Sequence, residues 1–291
     1  MPDLFTDCES AQDLAYKNIC SSEHLIEQEI KVFCELLWEK FELYSDTHFL
    51  TQIRRSFYER YWEMYLTSSF IDWEFDIQSD RHGPDVLIQY NENKIWIEAV
   101  ASGNGDPINN PDVVPDIETG IAQLVPEEKI ILRLRSSIEE KSRKYHDYIR
   151  DGILESTEPY VIALNGAKLN FMSRTDDIPY ILKSILPIGD QYYDFQNERS
   201  GISHRDTIIR ENGAEVSTNV FLDDAYRHIS AILYSNTHAG RFDEEIGSDF
   251  ILIHNPNAVN PLPIDLIQNG KVIRIATDEE SATFSYRIEN V

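Results

Sequence analysis

Residues 83–106 read GPDVLIQYNENKIWIEAVASGNGD. Two short apolar strands, Val86 to Gln89 and Ile95 to Ala101, flank the polar turn NENK, which is the pattern of a hairpin. With Glu92 and Asn93 as the central turn residues, Asn91 faces Lys94, Gln89 faces Trp96 and Leu87 faces Glu98. Side chains alternate along a strand, so Asp85, Leu87, Gln89, Trp96, Glu98 and Val100 share one face. Asp85 and Glu98 are then diagonal neighbours, roughly 7–8 Å apart. Two carboxylates at that spacing can converge on one hard cation. A three-residue turn would send one acid to the opposite face. Glu98 sits in IWIEAVA, a run that predicts burial on both faces, and a buried carboxylate is costly unless paired or metal-bound. The competing reading is a solvated hairpin with scattered acids.

Outward from the hairpin, residues 23–43 carry Leu25, Ile30, Phe33, Leu37 and Phe41 at helical spacing. Residues 48–70 form a second helix, apolar most of the way round and therefore buried. After the hairpin comes a loop over about 102–128, rich in Asn, Asp and Pro; loops of that length are usually functional or mobile. KIILRLR (129–135) reads as a strand. SSIEEKSRKYHDYIRDG reads as a helix with Ser136 as N-cap and Gly152 as stop. YVIAL (160–164) reads as a buried strand. The order helix, strand, strand, strand, helix, strand predicts an α/β fold, a mixed central sheet flanked by helices. Beyond residue 170 the pattern turns α+β, with TNVFLDDAYRHISAILYS as a helix and DFILIHN and KVIRIAT as strands. Residues 1–170 thus form a core and 171–291 an extension packed on it. No linker marks a boundary, so one compact domain is the alternative.

The chain has 291 residues and a formal net charge of -25, from 51 acidic and 26 basic side chains. That balance opposes indiscriminate binding to nucleic acid or to an anionic membrane. The sign reverses locally: Lys129, Arg133, Arg135, Lys141, Arg143, Lys144 and Arg150 face only Glu139, Glu140 and Asp147. This run is either a solvated helix face or a basic groove. No apolar run is long enough to span a membrane, and the acidic N-terminus is unlike a secretory signal. Cys8, Cys20 and Cys34 show no metal or redox spacing. Three reduced thiols and a cytoplasmic location are expected. His82, His146, His204, His228, His238 and His254 show no metal-ligand spacing and read as surface or core residues. HNPNAVNPLP (254–263) reads as a loop.

Asp85 heading one strand, Glu98 in the next and an acidic helix before them resemble the PD-(D/E)xK, restriction-endonuclease-like nuclease superfamily over roughly residues 50–165. The order of elements matches that superfamily's core. The resemblance implies that Asp85 and Glu98 bind Mg2+ or Mn2+. It also implies that a helical glutamate joins them, best matched by Glu63 with Glu59 as fallback. Glu63 paired with an arginine is the plainer reading. The family's Glu-x-Lys is here Glu98-Ala99-Val100, so the motif lysine is missing. Lys141 lies on the apolar stripe of the 136–152 helix, three after Ile138 and four before Tyr145. It is the candidate for a migrated lysine, or else a snorkelling side chain. The implied activity is metal-dependent hydrolysis of nucleic-acid phosphodiesters. The implied partner is DNA, contacted through Arg133, Arg135, Arg143 and Lys144. A catalytically inactive nuclease-fold protein that binds protein or nucleic acid is the alternative.

Overall fold

The computed structural model describes residues 3–78, 83–108, 112–169, 178–241, 245–278 and 283–291. Four helices open the chain: α1 (Leu14–Ser21), α2 (Leu25–Phe41), α3 (Phe49–Ile53) and α4 (Phe57–Asp72). Three strands follow, β1 (Asp76–Gln78), β2 (Val86–Tyr90) and β3 (Asn93–Ala101), then α5 (Glu127–Arg150), β4 (Tyr160–Asn165) and α6 (Tyr180–Ile185). Two small hairpins come next, β5 (Ile188–Asp194) with β6 (Arg199–His204), and β7 (Thr207–Ile209) with β8 (Glu215–Ser217). Four strands complete the chain: β9 (Ala231–Ser235), β10 (Ile251–His254), β11 (Lys271–Asp278) and β12 (Thr283–Asn290).

One mixed sheet of eight strands, ordered β1-β2-β3-β4-β9-β10-β11-β12, forms the centre. Strand β4 runs parallel to both β3 and β9, and all six of its residues are buried. This is the continuous apolar pattern of a strand covered on both faces. Residues 231–290 supply half of the sheet. Helices α1–α4 cover one face, where Trp38, Phe49, Trp62 and Phe70 pack on Val86, Ile88, Ile95 and Ile97. Helices α5 and α6 cover the other, where Ile138, Tyr145 and Tyr148 pack on Leu87, Trp96 and Ile162. The α/β class with a mixed, helix-flanked sheet is therefore present.

Two segments differ from their expected form. KIILRLR is helix, the first turns of α5. Ile130, Leu134 and Ile138 face the sheet at intervals of four, while Ile131 and Leu132 pack against Ile208 of β7. A helix held between two sheets is apolar on two sides, and over seven residues that imitates a strand. The third strand before α5 is instead β1, which pairs with β2 on its outer side. TNVFLDDAYRHISAILYS is not a helix either. Asp223 accepts the Ala225 N–H at a 3-10 turn, Val220, Phe221 and Ile229 plug the core, and AILYS enters the sheet as β9.

Cys8 and Cys20 form a disulfide, whereas Cys34 is free and buried; this corrects the expectation of three thiols. Asp13 caps α1 through Ala15 N–H and Tyr16 N–H with one oxygen and accepts the Phe57 N–H at the start of α4 with the other. Among the described residues no helix is long and apolar enough to cross a membrane.

Candidate functional site

The hairpin turns on Asn91 and Glu92, with Asn91 in the left-handed region at φ 53°. Leu87 pairs with Trp96 and Val86 with Ile97, so the register has slid by two residues from the expected one. An even slide preserves facing. Asp85 and Glu98 therefore still share a face, and the ladder continued one step sets them directly opposite each other. Val100, expected across from Asp85, lies two pairs further along. Asp85 Oδ2 accepts the Ala99 N–H at 2.7 Å, which ties the head of β2 to the end of β3.

Glu98 is fully buried. Its Oε1 accepts from Lys141 Nζ at 2.9 Å and Lys144 Nζ at 2.6 Å, and its Oε2 accepts from the Tyr148 hydroxyl at 2.9 Å. Residues 141, 144 and 148 are spaced three and four apart, which aligns them along one stripe of α5. Lys141 therefore points inward, its side chain 12% exposed. Lys144, expected as a DNA contact, reaches the same carboxylate. Burial pulls the Lys144 ammonium down, but the Glu98 charge and hydrogen bond outweigh it and the net shift is upward. Burial, then Glu98, raises the Tyr148 phenol. Tyr148 is not among the expected site residues; its place seven residues after Lys141, on the same stripe, was the signal for its contact with Glu98.

Glu63 approaches from α4 on the other side of the sheet. It forms an ion pair with Arg60, one turn earlier, and Arg60 also reaches Asp46 and Gln52. Burial first and Asp85 second push the Glu63 carboxyl up to about 7, against the opposing pull of Arg60. Asp85 is pushed up to about 6 by the protein crowded around it and then by Glu98, with the Ala99 N–H and the two lysines opposing. The Asp85 side chain is nonetheless open to the cleft, and water reaching it tempers that rise. Glu59, the fallback acid, is bound to Lys168 at 2.7 Å.

Glu63, Asp85, Val100 and Lys141 line one cleft of about 500 Å³, with Arg55 and Glu59 among its other walls. Glu98 closes it from behind through Lys141. The structure thus gathers Asp85, Glu98, Glu63 and Lys141. It does not gather the basic residues into one groove. Arg135 is buried, donates to the Ser217 carbonyl and lies over the Tyr226 ring, so it braces β8 and offers no phosphate surface. Arg133 is half-buried and donates to the Gly103 carbonyl. Only Arg143 of that set is largely exposed.

Among the described residues no three Asp, Glu, His or Cys side chains converge as a ligand set. The donor chemistry still fits a hard divalent cation. Glu63 and Asp85 are carboxylates on one cleft, Glu63 made harder to ionise by burial and by Asp85, Asp85 by burial and by Glu98, and a cation beside them would offset those costs. The histidines lie elsewhere: His228 stacks on Tyr145 and contacts Ser142, His146 packs beside it, and His254 pairs with Asp265. His82 lies outside the described residues. Compared with known proteins, the chain matches no family model, no curated protein and no solved structure.

Proposed function

We propose that the protein is a metal-dependent nuclease that hydrolyses nucleic-acid phosphodiester bonds, with a core of restriction-endonuclease type. The observation that carries this reading is Lys141. A lysine from the following helix lines the cleft with Asp85 and Glu63 and reaches the buried Glu98 carboxylate behind it, while the motif position holds Val100. Asp85, Glu98 and Glu63 would hold Mg2+ or Mn2+, which when bound lowers the pKa of a water and polarises the phosphate. Lys141 stabilises the negative charge that develops on the phosphate oxygens. Tyr148 fixes the orientation of Glu98 by donating to its second oxygen. DNA is the favoured substrate. A cytoplasmic site of action goes with this reading, although the Cys8–Cys20 bond is at odds with a reducing compartment.

The test is Mg2+-dependent cleavage of DNA and RNA by the wild type and by Glu98→Ala. Cleavage that survives the substitution would mean that another site does the chemistry.

The second reading is a nuclease fold that binds without cutting. What favours it is that both Glu98 oxygens are engaged by protein donors and that Val100 supplies no cation. Calorimetry with Mg2+ and Mn2+ separates the two: no binding at millimolar metal supports the inactive reading.

A further inference from the structure

Strand β12 ends the sheet, and among the described residues no strand pairs with its outer side. Sheet edges are commonly blunted by a bulge, a proline, charged side chains (lysine above all) or shortness. β12 runs for eight residues, TFSYRIEN, without Pro or Lys, and its pairing with β11 is uninterrupted.

The hydrogen-bond phase of this edge follows from two bonds. Val291 N–H donates to the Gly270 carbonyl, and Lys271 N–H donates the opposite way, to Phe250 next to β10. With Lys271 paired to Asn290, the odd-numbered residues of β12 bond inward to β11. The N–H and C=O groups of Phe284, Tyr286, Ile288 and Asn290 therefore point outward.

A second copy can add to such an edge antiparallel about a twofold axis, and charge selects where the axis falls. Centred on Arg287 or on Glu289, the axis opposes like charges. Centred on Tyr286, it sets Arg287 against the uncharged Ser285. Centred on Ile288, it sets Arg287 against the partner's Glu289 twice over, in the closely spaced, non-hydrogen-bonded pairs where side chains meet best. Ile288 then exchanges both backbone bonds with the partner's Ile288, in phase with the outward groups. Ile288 is 48% exposed in the single chain. Arg287 is 82% exposed, and the intrachain approaches of Glu289 to Arg274 and Arg287 are long, at 3.7 and 4.0 Å.

We propose that β12 is the interface with a second copy of this chain, forming one sheet continuous across the twofold axis at Ile288. Sedimentation velocity of the full chain over a wide concentration range tests it. The wild type is expected to be a reversible dimer. Arg287→Glu and Glu289→Arg are each expected to weaken it about tenfold or more, and the double variant Arg287→Glu/Glu289→Arg to restore it. A wild type that stays monomeric, a dimer indifferent to both reversals, or a double variant no tighter than the singles would each overturn the proposal. Circular dichroism of the variants confirms that these surface changes leave the fold intact.

Discussion

Lys141 Nζ lies 2.9 Å from Glu98 Oε1 across 43 positions of chain. The carboxylate is fully buried and the ammonium nearly so. Removing one member of such a pair leaves the other uncompensated, which typically costs about 3–5 kcal/mol. Here Lys144 shares the carboxylate, so Lys141→Ala is expected to cost less in stability than Glu98→Ala. Both are measurable by denaturant unfolding. In the nuclease reading, Lys141→Ala also lowers the cleavage rate by roughly 10²–10³-fold, with metal binding retained.

Val100 lines the same cleft as Lys141, so in the nuclease reading a lysine at either position can serve the site. In a Lys141→Ala background, Val100→Lys is expected to recover part of the lost cleavage, whereas Val100→Met is not. Equal behaviour of the two would show that the charge at this place is irrelevant to activity.

The cleft carboxyls predict a pH dependence whose sign can be worked out. Glu63 rises from an ordinary 4.5 to about 7 and Asp85 from 3.8 to about 6. Between those values the folded protein holds more protons than the unfolded chain, so stability falls as pH rises. The extra stability is complete below about pH 4 and is lost as pH rises through about 6 to 7 in the absence of metal. Mg2+ favours the ionised acids and is expected to stabilise more as pH rises through this window. Melting temperatures from pH 4 to 8, with and without Mg2+, check both signs, and Glu63→Gln should flatten the metal-free slope. The solvent-open Asp85 should contribute less than Glu63.

The disulfide between Cys8 and Cys20 spans 12 positions. Closing a loop of that size restricts the unfolded chain and is worth roughly 3 kcal/mol. Reduction is expected to lower the melting temperature. Because Asp13 joins α1 to the first turn of α4, hydrogen exchange should rise at the start of α4 as well as at the N-terminus.

What could be read from the chain alone was the local chemistry of periodic segments. Alternation in the hairpin put Asp85 and Glu98 on one face, and the spacing of Ile138, Lys141 and Tyr145 turned that lysine inward. The turn itself was misplaced, because Asn91-Glu92 and Glu92-Asn93 are both polar pairs and either choice puts the same side chains on the same face. KIILRLR was misread because its second apolar side answers to Ile208, a residue far away in sequence. AILYS was lost inside a polar run that resembles a helix, although as β9 it lies at the middle of the sheet. The disulfide joins Cys8, ahead of α1, to Cys20 in its last turn, a pairing that no Cys spacing announces. The ion pair of Glu63 with Arg60 was the plainer of two readings, and it coexists with the place of Glu63 on the cleft.

The pairing of Leu87 with Trp96 and of Val86 with Ile97 has a consequence for how this chain can change. A one-residue deletion in β3 between Lys94 and Glu98 would rotate the acid away from α5, towards the α4 layer, and strand both lysines. A two-residue deletion would keep the side and alter only the depth. Length variation in this arm is therefore tolerable in even steps alone, and a chain carrying an odd step there would have kept the sheet and lost the cleft.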